Sequence, residues 1–215
     1  MVTIKIVVEG GIMPDSNNDA LTIANSNRLR ESFHKLLSQV VDEDTFNLEI
    51  EMGAGEKNAC KMFKHSVQHS NCFLLIDLDK ENSQRQTKLD LLGIEDYSSF
   101  VFFMIQKMEA WILSQPKAIE KVMESYNVQK RNKSLKDDPV FEKKAYDIAH
   151  PDKRLNTILS RYFFIERRGK VKKAKYGKLK DAPAFIASLN ALQLKDIFED
   201  VSRLFDYIKS YTEKR

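Results

Sequence analysis

The first half of the chain contains four runs rich in apolar residues, and these are of two kinds. Val2 to Val8 is a short β-branched run and Phe46 to Met52 alternates apolar with polar residues, while Cys72 to Ile76 and Phe100 to Ile105 are continuously apolar. Runs of this length and composition are typical of strands, and the continuous ones indicate strands buried on both faces of a sheet. The pattern therefore predicts four strands in this half.

Helical periodicity fills the intervals between these runs. Apolar residues recur every three or four positions from Arg28 to Val41 and from Glu56 to Ser70, and two further helices are predicted from Arg85 to Leu92 and from Glu109 to about Asn127. The polar stretch before Arg28 predicts a long loop. Strands separated by helices imply parallel crossovers with helices on both faces of the sheet. We therefore expect an α/β fold with a mainly parallel four-stranded sheet.

The second half of the chain has a different pattern. Lys130 to Pro139 is a polar linker, Leu194 to Tyr211 has the spacing of a closing helix, and Arg161 to Ile165 fits a strand and a helix equally well. This part is therefore predicted to be mostly helical. We expect an α/β domain over residues 1–115 and a helical extension packed on it over residues 116–215, with a single compact domain as the alternative.

Composition narrows the class of protein. The 215 residues are 31% charged and 42% hydrophobic, with 7 Gly and 5 Pro, which excludes disordered and collagen-like chains. Two cysteines make no disulfide framework and indicate a reducing compartment. The first residues lack the core of a signal peptide, and no apolar stretch approaches the ~20 residues of a membrane-spanning helix. We expect a soluble, cytoplasmic protein that does not contact membranes.

Positive charge is concentrated in one segment. Arg167 to Lys180 holds eight basic residues and no acid; removing these eight from the 35 Lys and Arg leaves 27, against 31 Asp and Glu. An acidic chain with one basic segment is typical of a local contact with a polyanion, here nucleic acid. A solvated loop is the alternative. The predicted nucleic-acid-binding residues are Arg167, Arg168, Lys170, Lys172, Lys173, Lys175 and Lys178.

Acidic residues follow the predicted strands at the places where sites are built. Glu9 comes just after the first strand, and Asp77 and Asp79 just after the third. The carboxyl ends of parallel strands form one crevice, so these carboxylates converge if the two strands are neighbours. Such a cluster repels itself unless a cation with oxygen ligands, such as Mg²⁺, is bound. Three unrelated exposed acids are the alternative.

Two further residues are candidates. Glu109 lies on the first turn after the fourth strand and faces the same edge, where it is either another metal ligand or a cap for its own helix. Lys178 either contacts phosphate as a point charge or is an ordinary surface lysine. Cys60, His65, His69 and Cys72 match none of the common zinc spacings, so a zinc site is the weaker hypothesis.

These residues resemble the TOPRIM domain of topoisomerases, bacterial primases and OLD-type nucleases. Val8-Glu9-Gly10 and Asp77-Leu78-Asp79 match its glutamate after the first strand and its D-x-D after the third, over about 110 residues. A wider resemblance, to uncharacterised prokaryotic TOPRIM-like proteins related to RloB, rests on Met104-Ile105-Gln106, Glu109-Ala110-Trp111 and Tyr176-Gly177-Lys178. The stretch Met13 to Asn27 is longer than that family's usual link between the first strand and helix.

The resemblance implies metal-dependent phosphodiester cleavage. Asp77 and Asp79, with Glu109 as a further candidate, would bind Mg²⁺ or Mn²⁺, and Glu9 would act as general acid or base. A full topoisomerase is excluded by size, and the nucleotide-handling modules of a primase are absent. The implied function is a nuclease acting on DNA or RNA, as an effector of antiphage defence beside a partner ATPase. The alternative is a non-catalytic TOPRIM-like subunit that binds such an ATPase. The sequence leaves the oligomeric state open.

Overall fold

The computed structural model describes residues 2–12, 19–40, 44–131 and 133–213, apart from the side chains of residues 167, 212 and 213. Its main sheet has four parallel strands in the spatial order β2-β1-β3-β4. The strands are β1 (Val2–Val8), β2 (Phe46–Met52), β3 (Asn71–Asp77) and β4 (Val101–Met104). All four strands predicted from the sequence form, and the expected α/β architecture is confirmed.

Nine helices are described in these parts of the chain. The first four are α1 (Ala20–Leu37), α2 (Glu56–Val67), α3 (Arg85–Leu92) and α4 (Met108–Leu113). The other five are α5 (Pro116–Ser125), α6 (Pro151–Tyr162), α7 (Lys178–Ser188), α8 (Ala191–Ile197) and α9 (Glu199–Glu213). The predicted helix from Glu109 to Asn127 is two helices, because the chain breaks at Ser114 and Gln115 and restarts at Pro116, a favoured first helical residue. The predicted closing helix is likewise interrupted at Phe198.

Helix α1 begins eight residues before the predicted position. The expectation of a loop up to Asn27 is wrong because the Asp19 side chain accepts a hydrogen bond from the backbone N–H of Thr22 and caps the helix there. Asn25 and Ser26 are buried on the inner side of this first part, where polar residues hide the helical periodicity. The rest of the predicted long loop, residues 13–18, lies outside the described residues.

A second sheet corrects the interpretation of the second half. Its three antiparallel strands are β5 (Gln129–Lys130), β6 (Phe163–Arg167) and β7 (Lys170–Lys173). Arg161 to Ile165 is therefore the end of α6 followed by a strand. The first part of the basic segment, from Arg167 to Lys173, belongs to a hairpin, and its last residues begin α7, so the alternative of a solvated loop does not describe its structure. Lysines provide the alternation of β7, and hydrophobic periodicity therefore gives no sign of it.

The hydrophobic core lies on both faces of the parallel sheet. Ile6 and Phe73 point to one side, into a core shared with Trp111, and Val7 and Leu74 point to the other. Elements after residue 116 enter the first of these cores, which includes Ile119, Ile158 and Phe205. The division at residue 115 stays a prediction. In the described parts of the chain, no helix is both long and apolar enough to cross a membrane.

Candidate functional site

Two carboxylates lie side by side at the carboxyl edge of the sheet. Strands β1 and β3 are hydrogen-bonded neighbours, so Glu9 and Asp77 end at the same place. The Glu9 backbone N–H donates to the Leu75 carbonyl at 2.9 Å, and its Oε2 accepts a hydrogen bond from the Asp77 backbone N–H at 3.0 Å. Burial raises the pKa of Glu9, and the hydrogen bond from Asp77 partly offsets this. The crevice expected from the strand order is therefore present.

Asp77 is the most constrained of the acids. Its Oδ1 accepts a hydrogen bond from the Met108 backbone N–H at 2.8 Å, and its Oδ2 lies 3.5 Å from the Nζ of Lys178. The residue is only 6% exposed. Burial above all, and then the charges of Glu9 and Glu109, raise its pKa to about 7 against the attraction of Lys178. Near neutral pH this carboxylate is therefore close to taking up a proton.

Glu109 brings a third carboxylate to this edge of the sheet, and we call the site of Glu9, Asp77 and Glu109 the acidic pocket. It lies in the first turn of α4 and is fully buried. Its Oε1 accepts a hydrogen bond from the Tyr176 hydroxyl at 3.1 Å and lies 3.9 Å from the Nζ of Lys178. Its Oε2 is buried without a hydrogen-bond partner. The contacts of Glu109 therefore lie in the pocket, and an unpartnered buried carboxylate oxygen is costly unless a cation or donor reaches it.

The C-terminal part contributes Tyr176 and Lys178. Helix α7 begins at Lys178, and the side chain of Asp181 accepts a hydrogen bond from the Gly177 backbone N–H at 2.7 Å. Burial and the charge of Glu109 raise the pKa of Tyr176 above its usual value, so its hydroxyl stays a donor. Burial works against the charge on Lys178, but Asp77 and Glu109 raise its pKa. The Lys178 ammonium thus neutralises part of the pocket, with its side chain 58% exposed.

Asp79 faces a separate group of lysines. Its carboxylate lies 3.2 Å from the Nζ of Lys88 and 4.0 Å from that of Lys107, and Lys88 also pairs with Glu56. Asp79 has a positive φ of 60°, and its backbone N–H donates to the Gln106 carbonyl at 2.6 Å. The structure therefore brings Glu9, Asp77 and Glu109 together and pairs Asp79 with Lys88 and Lys107.

The residues present fit a divalent cation in their chemistry. Glu9, Asp77 and Glu109 supply carboxylate oxygens, which are hard ligands, and Lys178 pairs with Asp77 and Glu109. The unpartnered Oε2 of Glu109 and the raised pKa of Asp77 both indicate too little positive charge. As the side chains stand, no set of three His, Cys, Asp or Glu among the described residues is arranged to hold a metal ion. Binding would therefore require side chains to reorient.

A cavity of about 360 Å³ opens above these acids. Its lining includes Glu9, Gly11, Asp77, Met108 and Lys178. Gly11 has a φ of +72°, and a β-carbon there would lie 2.7 Å from Ser26 Oγ and 2.8 Å from Met52 Cβ. Glycine is required at this position for both conformation and space. Gly11, the second glycine after β1, thus lets the backbone pass close to α1 beside the cavity.

Most of the remaining predicted residues lie in the hairpin of β6 and β7. Arg168, Lys170, Lys172 and Lys173 are exposed there, Lys175 is exposed two residues after β7, and Arg167, whose side chain is not described, ends β6. Lys178 is set apart from this group because it enters the acidic pocket. Nucleic-acid binding by the hairpin stays a prediction.

Sequence reasoning missed the lysines around Asp79 and the role of Tyr176. Lys107 follows the fourth strand, so the rule that sites form at strand ends could have identified it. Lys88 lies on a predicted helix, and nothing in the sequence distinguishes it. Two of the residues considered for the weaker zinc hypothesis, Cys60 and Cys72, are buried in the core. Burial raises the pKa values of their thiols to about 11 and about 12.

Comparison with known proteins gives a likeness in structure and none in sequence. No family model matches the chain. No curated protein matches its sequence. The structure is similar to that of the C-terminal region of the Burkholderia pseudomallei OLD protein, with a TM-score of 0.50 and 16% identity over 96% of each chain. At this identity the likeness shows a shared fold, which extends over nearly the whole of both chains.

Proposed function

We propose that the chain is a metal-dependent nuclease of TOPRIM type that cleaves phosphodiester bonds in nucleic acid. The observation that carries this proposal is the convergence of Glu9, Asp77 and Glu109 at one edge of a parallel sheet, with one carboxylate oxygen left unpartnered. The likeness to the OLD C-terminal region supports it through the fold. The resemblance of the sequence motifs to TOPRIM supports it independently.

In this proposal Asp77 and Glu109 hold Mg²⁺ or Mn²⁺, and Asp79 joins them when its carboxylate turns away from Lys88 and Lys107. Such a cation, when bound, neutralises phosphate charge and acidifies bound water. Glu9 accepts or returns the proton, a role that suits a part-buried carboxylate whose pKa is raised. Lys178 binds a phosphate oxygen from its place between Asp77 and Glu109, and the Tyr176 hydroxyl holds Glu109 in place.

A second candidate is a non-catalytic TOPRIM-like subunit that binds a partner ATPase. The lysines favour it: Lys178 pairs with Asp77, and Lys88 and Lys107 pair with Asp79, so protein cations already offset much of the acidic charge. We favour the nuclease because these pairings leave the Glu109 oxygen unpartnered. Antiphage defence and the ATPase partner belong to the proposal through the TOPRIM-like resemblance.

A cleavage assay separates the two candidates. The full chain is incubated with single-stranded and duplex DNA, single-stranded and duplex RNA, and tRNA, with Mg²⁺, with Mn²⁺ or with chelator. We expect cleavage only with metal, and a rate about 10² to 10⁴ times lower for Glu9→Gln, because a general acid or base contributes that much. Glu124→Gln, an exposed residue of α5, is the matched control and should cleave as wild type does.

Two results would contradict the nuclease. The first is a folded wild-type chain that cleaves none of these nucleic acids with either metal. The second is a Glu9→Gln variant as active as the wild type. The first result would favour the non-catalytic subunit, and the second would exclude Glu9 as the general acid or base.

A further inference from the structure

The basic hairpin is a two-stranded ribbon that extends from the body of the protein. Phe163 and Ala174 are buried at its base, and four residue pairs follow, from Phe164 with Lys173 to Arg167 with Lys170. Arg168 and Gly169 close the ribbon with positive φ values of 52° and 70°, as in a tight two-residue turn. Phe164 also pairs with Gln129 of β5, so the last three pairs are two-stranded, and at about 3.3 Å per residue they extend about 10 Å.

Both faces of this ribbon carry lysines. Side chains alternate along a strand, so Lys170 and Lys172 share the face of Ala174, whereas Lys173 is on the opposite face. The alternation continues past β7: Ala174 is buried, Lys175 is exposed, and Tyr176 turns inward to Glu109. Lys170 and Lys172 therefore lie on the face of Ala174 and of Tyr176, the residue that contacts Glu109, and Lys173 and Lys175 lie on the opposite face with Glu166 of β6.

Lysines on opposite faces of a ribbon match two separate rows of negative charge. The two phosphate backbones of a duplex provide such rows on either side of a groove. The major groove of B-form DNA is about 12 Å wide and about 8.5 Å deep, admits a two-stranded ribbon, and is shallower than the reach of this one. The minor groove, about 6 Å wide, is too narrow, and the major groove of A-form RNA is deep and narrow.

The ribbon lacks what single-strand binding requires. Proteins that bind single strands stack the bases on exposed aromatic rings. Of the two aromatic residues in the ribbon strands, Phe163 is buried, and Phe164 is half-buried with the guanidinium of Arg131 over its ring at 5.6 Å. The exposed apolar side chain described in β7 is Val171, which is aliphatic. A ribbon with positive charge on both faces and no exposed aromatic ring for stacking is better suited to a duplex than to a single strand.

We propose that the ribbon of β6 and β7 enters the major groove of B-form duplex DNA. Lys170 and Lys172 contact the backbone of the strand that leads to the acidic pocket, and Lys173 and Lys175 contact the backbone of the opposite strand. This proposal names a substrate class for the proposed function. It rests on that function only where it says which DNA strand leads to the acidic pocket. Binding itself does not require cleavage.

Salt dependence of binding tests both faces. The full chain is titrated with a fluorescent DNA duplex in chelator over a range of salt concentrations, because each phosphate contact contributes about −0.9 to the slope of log affinity against log salt. The pairs Lys170→Gln/Lys172→Gln and Lys173→Gln/Lys175→Gln should each flatten the slope by about 1.8, and the quadruple variant by about 3.6. Lys117→Gln/Lys121→Gln on α5, also exposed, should leave the slope unchanged.

Several outcomes would overturn the proposal. A slope changed by one pair alone would mean that the ribbon lies flat on its ligand. Equal binding of duplex RNA or single-stranded DNA would exclude the major groove of B-form DNA as the site, and a quadruple variant with the wild-type slope would exclude the ribbon. All four lysines are exposed, so circular dichroism should show every variant folded. DNA binding that follows the expected slopes without cleavage in metal would contradict the nuclease and leave the ribbon proposal intact.

Discussion

The acidic pocket and the basic ribbon hold opposite charges and are built in opposite ways. The pocket joins Glu9, Asp77, Glu109 and Tyr176, which are far apart in the sequence, and the pairing of β1 with β3 and the packing of the C-terminal part bring them together. The ribbon takes its lysines from one continuous segment held by a single tight turn. Long-range packing thus places one set of charges, and local pairing places the other.

The two regions also differ in what their charges do to folding. Burial, together with the charges of Glu9 and Glu109, raises the pKa of Asp77 to about 7, so charge on this carboxylate opposes the folded state. The exposed lysines of the ribbon are screened by water and salt, and exposed charges of this kind contribute little to stability. Charge in the acidic pocket therefore lowers the stability of the fold, whereas charge on the ribbon has little effect on it.

Replacement of Asp77 should show this cost most strongly. The folded-state pKa of Asp77 is raised above its usual value of 3.8, so between about pH 4 and pH 7 the folded state binds the extra proton. Stability from this group is therefore present at low pH and is lost as pH rises toward 7. Asp77→Asn lacks this loss. Between pH 4 and pH 8 the free energy of unfolding of the variant should therefore rise by up to about 4 kcal/mol relative to that of the wild type.

Urea unfolding in chelator at several pH values measures this difference. Asp96→Asn removes an exposed acid as the matched control and should follow the wild-type curve. Wild type and Asp77→Asn curves that run parallel between pH 4 and pH 8 would contradict the account, as would a variant that unfolds well before wild type at pH 8. In the second case Asp77 would be a structural residue.

A smaller effect is expected when a glycine of the acidic pocket and a glycine of the ribbon are each replaced by alanine. Gly11 and Gly169 have nearly the same φ, +72° and +70°, but a β-carbon at Gly169 would meet nothing within 4 Å, whereas one at Gly11 would clash with Met52. Alanine at either position costs about 1 to 2 kcal/mol for the left-handed backbone. Gly11→Ala should lose roughly another 1 to 3 kcal/mol from crowding. Equal losses in urea unfolding would mean that the pocket backbone has room to move.

Local patterns were enough to predict most of the parallel sheet. The apolar runs from Val2 to Val8 and from Cys72 to Ile76 identify strands, and the rule for strand ends locates Glu9, Asp77 and Asp79 beside them. The start of α1 was missed because its cap, Asp19, lies in a polar stretch. The ribbon was missed because its strand β7 alternates among lysines instead of between apolar and polar residues.

The details of the pocket could not be predicted from local patterns. The hydrogen bond from Tyr176 to Glu109 joins residues 67 positions apart, and it depends on how the C-terminal part packs on the sheet. The orientation of Asp79 depends on Lys88 and Lys107, which come from different elements. Periodicity identifies elements and strand ends, but it does not specify which side chains from distant elements meet there.

Titration with Mn²⁺ followed by calorimetry tests the central claim that the pocket holds a divalent cation. Wild type, Asp77→Asn and Asp96→Asn are compared in two buffers of different ionisation heat near pH 7. We expect saturable binding to wild type and to Asp96→Asn, with release of protons because Asp77 is partly protonated at this pH. Asp77→Asn should bind far more weakly and release fewer protons. Absence of saturable binding to wild type, or equal binding by Asp77→Asn, would contradict the account.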